Sequence, residues 1–203
     1  MIAILLFFLA DPSVVKGDHW TTERTMRLIQ DTDHIDQRSV DKLDYLVESS
    51  DPEGFEVAIK VTPETGSTSK ASTYRYAFTT NGLLLNKEDA TDPNVERMNR
   101  MIWTSLEDRK GLAWARTWPA IGGLLGGNVL VKPTSRTRDD VTYAVTYIES
   151  GKSKCAATIK LFSAARIVED LALSINDVDI PGYIKHGSLI VTEKMKEIHL
   201  RAR

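Results

Sequence analysis

The sequence predicts a mainly β, α+β protein. The expected architecture is a large curved antiparallel sheet or half-open barrel of roughly ten strands, with one amphipathic helix and an apolar Gly/Trp-rich loop packed on its concave face. Three observations predict it. Apolar residues recur at every second position in Phe55, Val57, Ile59 and Val61, in Tyr74, Tyr76 and Phe78, in Tyr143, Val145 and Tyr147, and in Leu171, Leu173 and Ile175. A period of two puts such residues on one face of a pleated strand and leaves the other face wet. Turn chemistry separates the runs, and only one segment changes to helical spacing.

The elements follow in chain order. Ile2 to Ala10 reads IAILLFFLA, too short for a membrane-spanning helix of about 20 residues but suited to the apolar region of a secretory signal. No Lys or Arg precedes it, Phe8 stands where a cleavage site wants a small residue, and a buried N-terminal strand is the competing reading. Residues 1–17 are accordingly set apart as a signal or N-terminal hydrophobic segment. Residues 18–203 form one antiparallel domain with a helical insertion at about 92–127. Trp20, Thr22, Arg24, Met26 and Leu28 alternate with their neighbours as a long threonine-rich strand. A polar loop over 31–36 leads to a strand over 40–47. Asp51-Pro52-Glu53-Gly54 turns the chain into a strand over 55–62 that pairs back with its predecessor. A Ser/Thr/Gly-rich loop over 63–72 precedes a strand over 74–79, and Asn81-Gly82 signals a hairpin turn into a return strand at 83–85.

The helix comes next. Asp92 caps it, Pro93 suits its first position, and Val95, Met98, Ile102 and Leu106 recur at three- and four-residue steps opposite Glu96, Arg97, Arg100 and Glu107. From Leu112 to Gly127 the chain is apolar and nonperiodic, with Trp114, Trp118, Leu124 and Leu125 among glycines. A meander then runs over 128–132, 141–149, 154–162 and 171–178. Pro181-Gly182 turns it into two final strands over 188–191 and 195–201.

Composition narrows the function. The 203 residues carry a net charge of −2, with 42% hydrophobic and 27% charged residues. This is globular, with no basic field to attract nucleic acid and no transmembrane span. Cys155 is the only cysteine, so no intramolecular disulfide forms, and its place in the alternation Cys155, Ala157, Ile159 reads as a small buried hydrophobe. His19, His34, His186 and His199 share no metal-ligand spacing. Asp139-Asp140 reads as a solvated turn, Asp177 and Asp179 lack the acidic ladder of a calcium loop, and no serine sits in a nucleophile elbow. The expectation is a protein that is not an enzyme, without catalytic residues, metal or cofactor.

The aromatic set is more telling. Trp103, Trp114 and Trp118 fall close together, with Met98 and Met101 nearby. Tryptophan offers large apolar area and methionine adapts to irregular shapes. They pack either as plain core or as the cover of an apolar cavity. In the second case the ligand-binding residues are Met98, Ile102, Trp103, Trp114, Trp118, Leu124 and Leu125.

An apolar leader followed by a long antiparallel meander with a mid-chain helical insertion resembles the half-open barrels of bacterial lipoprotein carriers, the LolA and LolB type. The resemblance is architectural and spans most of the chain. No lipobox cysteine stands near the start, unlike the lipid-anchored LolB type. The resemblance implies a curved sheet that binds acyl chains and a plug formed by residues 103–125. The function expected is an exported, periplasmic or extracellular, non-enzymatic binding protein for an apolar small molecule or lipid. The alternative is a structural or protein-interaction domain of the cell envelope, with a fully packed core and an envelope protein as partner.

Overall fold

The computed structural model describes residues 14–30, 34–66, 70–79, 84–88, 114–116, 129–149, 152–162, 167–180 and 184–202. They form eleven strands: β1 (His19–Gln30), β2 (Ile35–Ser50), β3 (Gly54–Thr65), β4 (Ser72–Thr79), β5 (Leu84–Glu88), β6 (Trp114–Arg116), β7 (Val129–Arg136), β8 (Asp140–Glu149), β9 (Lys152–Phe162), β10 (Ile167–Ile180) and β11 (Ile184–His199). All belong to one open, curved, antiparallel sheet of order β5-β4-β3-β2-β1-β11-β10-β9-β8-β7-β6. From β1 at the centre the strands walk out to one edge, resume at the opposite edge and return to pair β11 with β1. The expected helix, its caps, the Asn81-Gly82 and Pro181-Gly182 turns and the leader at 2–10 lie outside the described residues.

The alternation sets the faces. Trp20, Thr22 and Arg24 of β1 lie on one face, with Leu43, Tyr45 and Val47 of β2, Val57 and Ile59 of β3, and Tyr74 and Tyr76 of β4. Trp20 and Tyr45 are paired across the ladder and their rings stack, centroids 4.9 Å apart. Together with Val14, Phe55 and Ile167 these apolar side chains form a core. Both ends of the described residues are tied into it. The buried Asp18 carboxylate accepts from the backbone N–H of Val15 at 2.9 Å and of Arg201 at 2.7 Å, and Val47 donates to the Asp18 carbonyl at 3.0 Å. Gly17, at φ 89°, makes the entry turn, where a Cβ would collide with the Arg201 guanidinium.

Several strands outrun their apolar pattern. β2 begins at Ile35, inside the expected polar loop, because Asp36 pairs with Ile29 and its carboxylate accepts from Arg27. β3 passes through Pro63, opposite Asp41, where the register shifts by a bulge. The expected break between two final strands does not occur: β11 runs unbroken through Thr192, Glu193 and Lys194. Backbone hydrogen bonding continues a ladder whatever the side chains, so polar residues end a strand less readily than periodicity implies. The turn at Asp51 is as expected, with its Oδ1 accepting from Glu53 and Gly54 N–H at 2.7 and 2.9 Å.

Candidate functional site

The second half of the sheet carries an apolar surface of its own. Val141, Tyr143 and Val145 of β8, Cys155, Ala157 and Ile159 of β9, Leu171, Leu173 and Ile175 of β10, and Leu189 and Val191 of β11 are all buried. The registers align them in rows: Tyr143 pairs with Ile159 and Ile159 with Leu171, while Val145 pairs with Ala157 and Ala157 with Leu173. Val145, Ile175 and Leu189 are sealed completely, at 0% exposure. Burying a large aliphatic side chain in this way stabilises by about 1.5–3 kcal/mol relative to leaving it wet.

Of the expected ligand residues, Trp114 alone lies within the described chain, and it belongs to the sheet rather than to a loop. It sits in edge strand β6, paired with Val131 of β7, which pairs in turn with Val145. Its backbone therefore extends the Val145–Ala157–Leu173 row to the sheet edge. Met98, Ile102, Trp103, Trp118, Leu124 and Leu125 lie outside the described residues.

Where this apolar face reaches the middle of the sheet it changes character. Glu193 of β11, 1% exposed, accepts from the Thr22 hydroxyl at 2.6 Å, from the Tyr45 hydroxyl at 2.9 Å and from Arg24 Nε at 3.1 Å. Arg24 is 2% exposed and pairs directly with Asp41 on β2 and Glu193 on β11. Burial pulls against the Arg24 charge, but the field of Glu193, assisted by Tyr45 and Asp41, outweighs it and holds the guanidinium above its ordinary pKa. Burial pushes the Tyr45 phenol well up, and Glu193 adds to the shift. Burial also raises the Asp41 carboxyl; Arg24 opposes the shift and Glu64 reinforces it. The cluster is a closed ionic knot set in hydrocarbon.

Sequence reasoning missed this knot, although its signal was present. Arg24 and Glu193 both occupy the apolar phase of their strands, within Trp20-Thr22-Arg24-Met26 and Leu189-Val191-Glu193-Met195. Glu193 lies in the gap left between the two expected final strands.

The other reactive groups resolve simply. Burial pushes the Cys155 thiol up to about 12, far from a nucleophile's range. The β1–β11 register stacks His19 on His199 with ring centroids 4.6 Å apart, a pairing that sequence spacing does not reveal. Asp177 bonds Lys154 and lies 3.4 Å from His186 Nδ1, and hydrogen bonding from Lys154 lowers its pKa. Among the described residues no group of three or more His, Cys, Asp or Glu side chains converges on a metal-sized point. Nor is any described helix long and apolar enough to cross a membrane.

No protein-family model matches the sequence, and no curated protein matches it. Solved structures match over nearly the whole length. Lipovitellin is similar at 8% identity over 93% of this chain, with a TM-score of 0.60, and the chain spans 26% of that much longer one. A hypothetical protein of Chlamydia trachomatis is similar at 12% identity and a TM-score of 0.39, covering 96% of this chain and 91% of its own. A LolA superfamily protein of Nitrosomonas europaea follows at 11% identity and 0.29, with the same coverage. At these identities the likeness is one of fold, and the lipovitellin superposition, at a TM-score of 0.60, carries it.

Proposed function

We propose that this chain is an exported, non-enzymatic binding protein that holds an apolar or lipid-like ligand between its curved sheet and a helix-loop lid formed by residues 92–113 and 117–127, on either side of β6. The observation that carries this reading is topological. β5 and β6 are opposite edges of the sheet, yet only residues 89–113 connect them. Ten strand intervals span about 48 Å when flat, at 4.8 Å each. A connection of this length is long enough to cross the sheet over one face. The apolar face is the one that needs a cover, and the full burial of Val145, Ile175 and Leu189 supports its having one.

In this arrangement the amphipathic helix lays Met98, Ile102 and Trp103 toward the sheet. Trp118, Leu124 and Leu125 close the lid on its glycine-rich side, and Trp114 anchors the edge. A ligand enters by taking the place of the lid on the apolar rows. Lipovitellin, whose structure concerns lipid–protein interactions, is similar to this chain in fold. The apolar leader at 2–10 directs the protein to the periplasm or outside the cell.

Native mass spectrometry of protein purified from its producing host, followed by organic extraction, tests the reading. The expected result is a copurifying lipid or other apolar molecule that is lost in Trp103→Asp and Trp118→Asp and kept in Trp118→Phe. A clean unliganded mass that takes up neither fatty acid nor phospholipid would overturn it. The packed envelope-interaction domain would then be the better account.

A further inference from the structure

The face of the sheet opposite the apolar rows carries a solvent-open trough of about 500 Å³ across β2, β1 and β11, lined by Thr25, Arg27, Asp36, Arg38, Ile190 and Thr192. We propose that this trough binds a phosphate-type oxyanion. The argument begins with a conflict in the strand register. Arg27 on β1 stands directly opposite Arg38 on β2, and like charges so placed repel. The conflict is relieved on one side only. Arg27 donates Nε and Nη2 to the two Asp36 carboxylate oxygens at 2.8 and 2.6 Å, a bidentate pair that neutralises its charge and fixes its plane. Arg38 is exposed and has no ion-pair partner among the described residues.

The trough therefore holds two guanidinium groups and one carboxylate, a net single positive charge. Thr25 and Thr192 are direct register partners, which sets two hydroxyl donors side by side on the floor. A fork of guanidinium donors with flanking hydroxyls is the donor set that a tetrahedral oxyanion takes. Ile190 supplies an apolar wall, and the volume falls within the range of small-ligand sites. Free phosphate, a phosphomonoester and a phospholipid headgroup share this chemistry. The site lies on the opposite side of the sheet from the proposed apolar ligand, so each stands or falls without the other.

Calorimetric titration of the full chain with inorganic phosphate at low ionic strength tests it. The expected result is saturable binding at one site, weakened about tenfold or more by Arg38→Gln through loss of a charge-assisted contact. Asp36→Asn is expected to move affinity the other way, tightening it several-fold, because it releases Arg27. Flotation with phosphatidylcholine vesicles, with and without phosphatidylglycerol, separates the sources. Binding only to the anionic vesicles, lost in Arg38→Gln and competed by phosphate, assigns a lipid headgroup; phosphate binding without flotation assigns a soluble oxyanion. Absence of saturable phosphate binding, or Arg38→Gln and Asp36→Asn titrating like the parent, would overturn the proposal. Both positions are on the exposed face, and circular dichroism checks that both variants fold.

Discussion

Two regions of one sheet face hold together by opposite physics. Across β8 to β11 the face is hydrocarbon, with Tyr143, Val145, Ile159, Leu171 and Leu173 in aligned rows. At the junction of β11, β1 and β2 it carries Thr22, Arg24, Tyr45 and Glu193, bonded to one another and just as deeply buried. Apolar packing is nondirectional, so the first region tolerates rearrangement of about equal volume. The second admits few arrangements, because each donor has its acceptor and a slipped register leaves a buried charge alone. The β1–β11 pairing joins the first and last of the described strands, the strand pairing of greatest sequence separation among the described residues. We read the ionic knot as the device that fixes the register there.

The largest expected effect breaks the second region. Glu193→Ala removes the hydrogen-bonded carboxylate from the buried Arg24, and should cost about 3–5 kcal/mol in urea denaturation. Replacing both charges together, as Arg24→Met with Glu193→Leu, should recover most of that loss. If the double change is as damaging as the single one, the knot is a stability element in its own right and the contrast fails.

The next effect belongs to the hydrocarbon region. Leu173→Ala should cost about 2–5 kcal/mol through lost transfer energy and the cavity left behind, while Leu173→Met should cost under about 1.5 kcal/mol. Glu193→Gln, an equally conservative change in shape, should be worse tolerated than Leu173→Met. Equal tolerance would erase the distinction between the two regions.

The smallest effect sharpens the comparison by pH. Burial raises the Asp41 carboxyl above its ordinary value, so the folded state binds that proton more tightly than the unfolded chain. Such a group favours the fold below the unfolded pKa of about 4, and that contribution is lost as pH rises through the higher folded value. Asp41→Asn should therefore raise the melting temperature at neutral pH, with the gain shrinking below about pH 4. A gain that persists undiminished in acid would mean that charge burial at Asp41 is not the cause.

The alternation alone determined much of this protein. Phe55 to Val61, Tyr74 to Phe78, Tyr143 to Tyr147 and Leu171 to Ile175 declared strands and faces, because a period of two leaves no other regular structure in which they share a side. The Asp51 turn and the inert Cys155 were legible for the same local reasons. What only the tertiary structure decided were the long-range pairings. The seam of β1 with β11 sets Arg24 against Glu193 and His19 against His199. The pairing of β1 with β2 sets Arg27 against Arg38, and the pairing of β6 with β7 takes Trp114 into the sheet. A strand's own residues state which face they occupy. They do not state which distant strand will lie beside them, since that depends on closing long loops and on satisfying charges whose partners lie far along the chain.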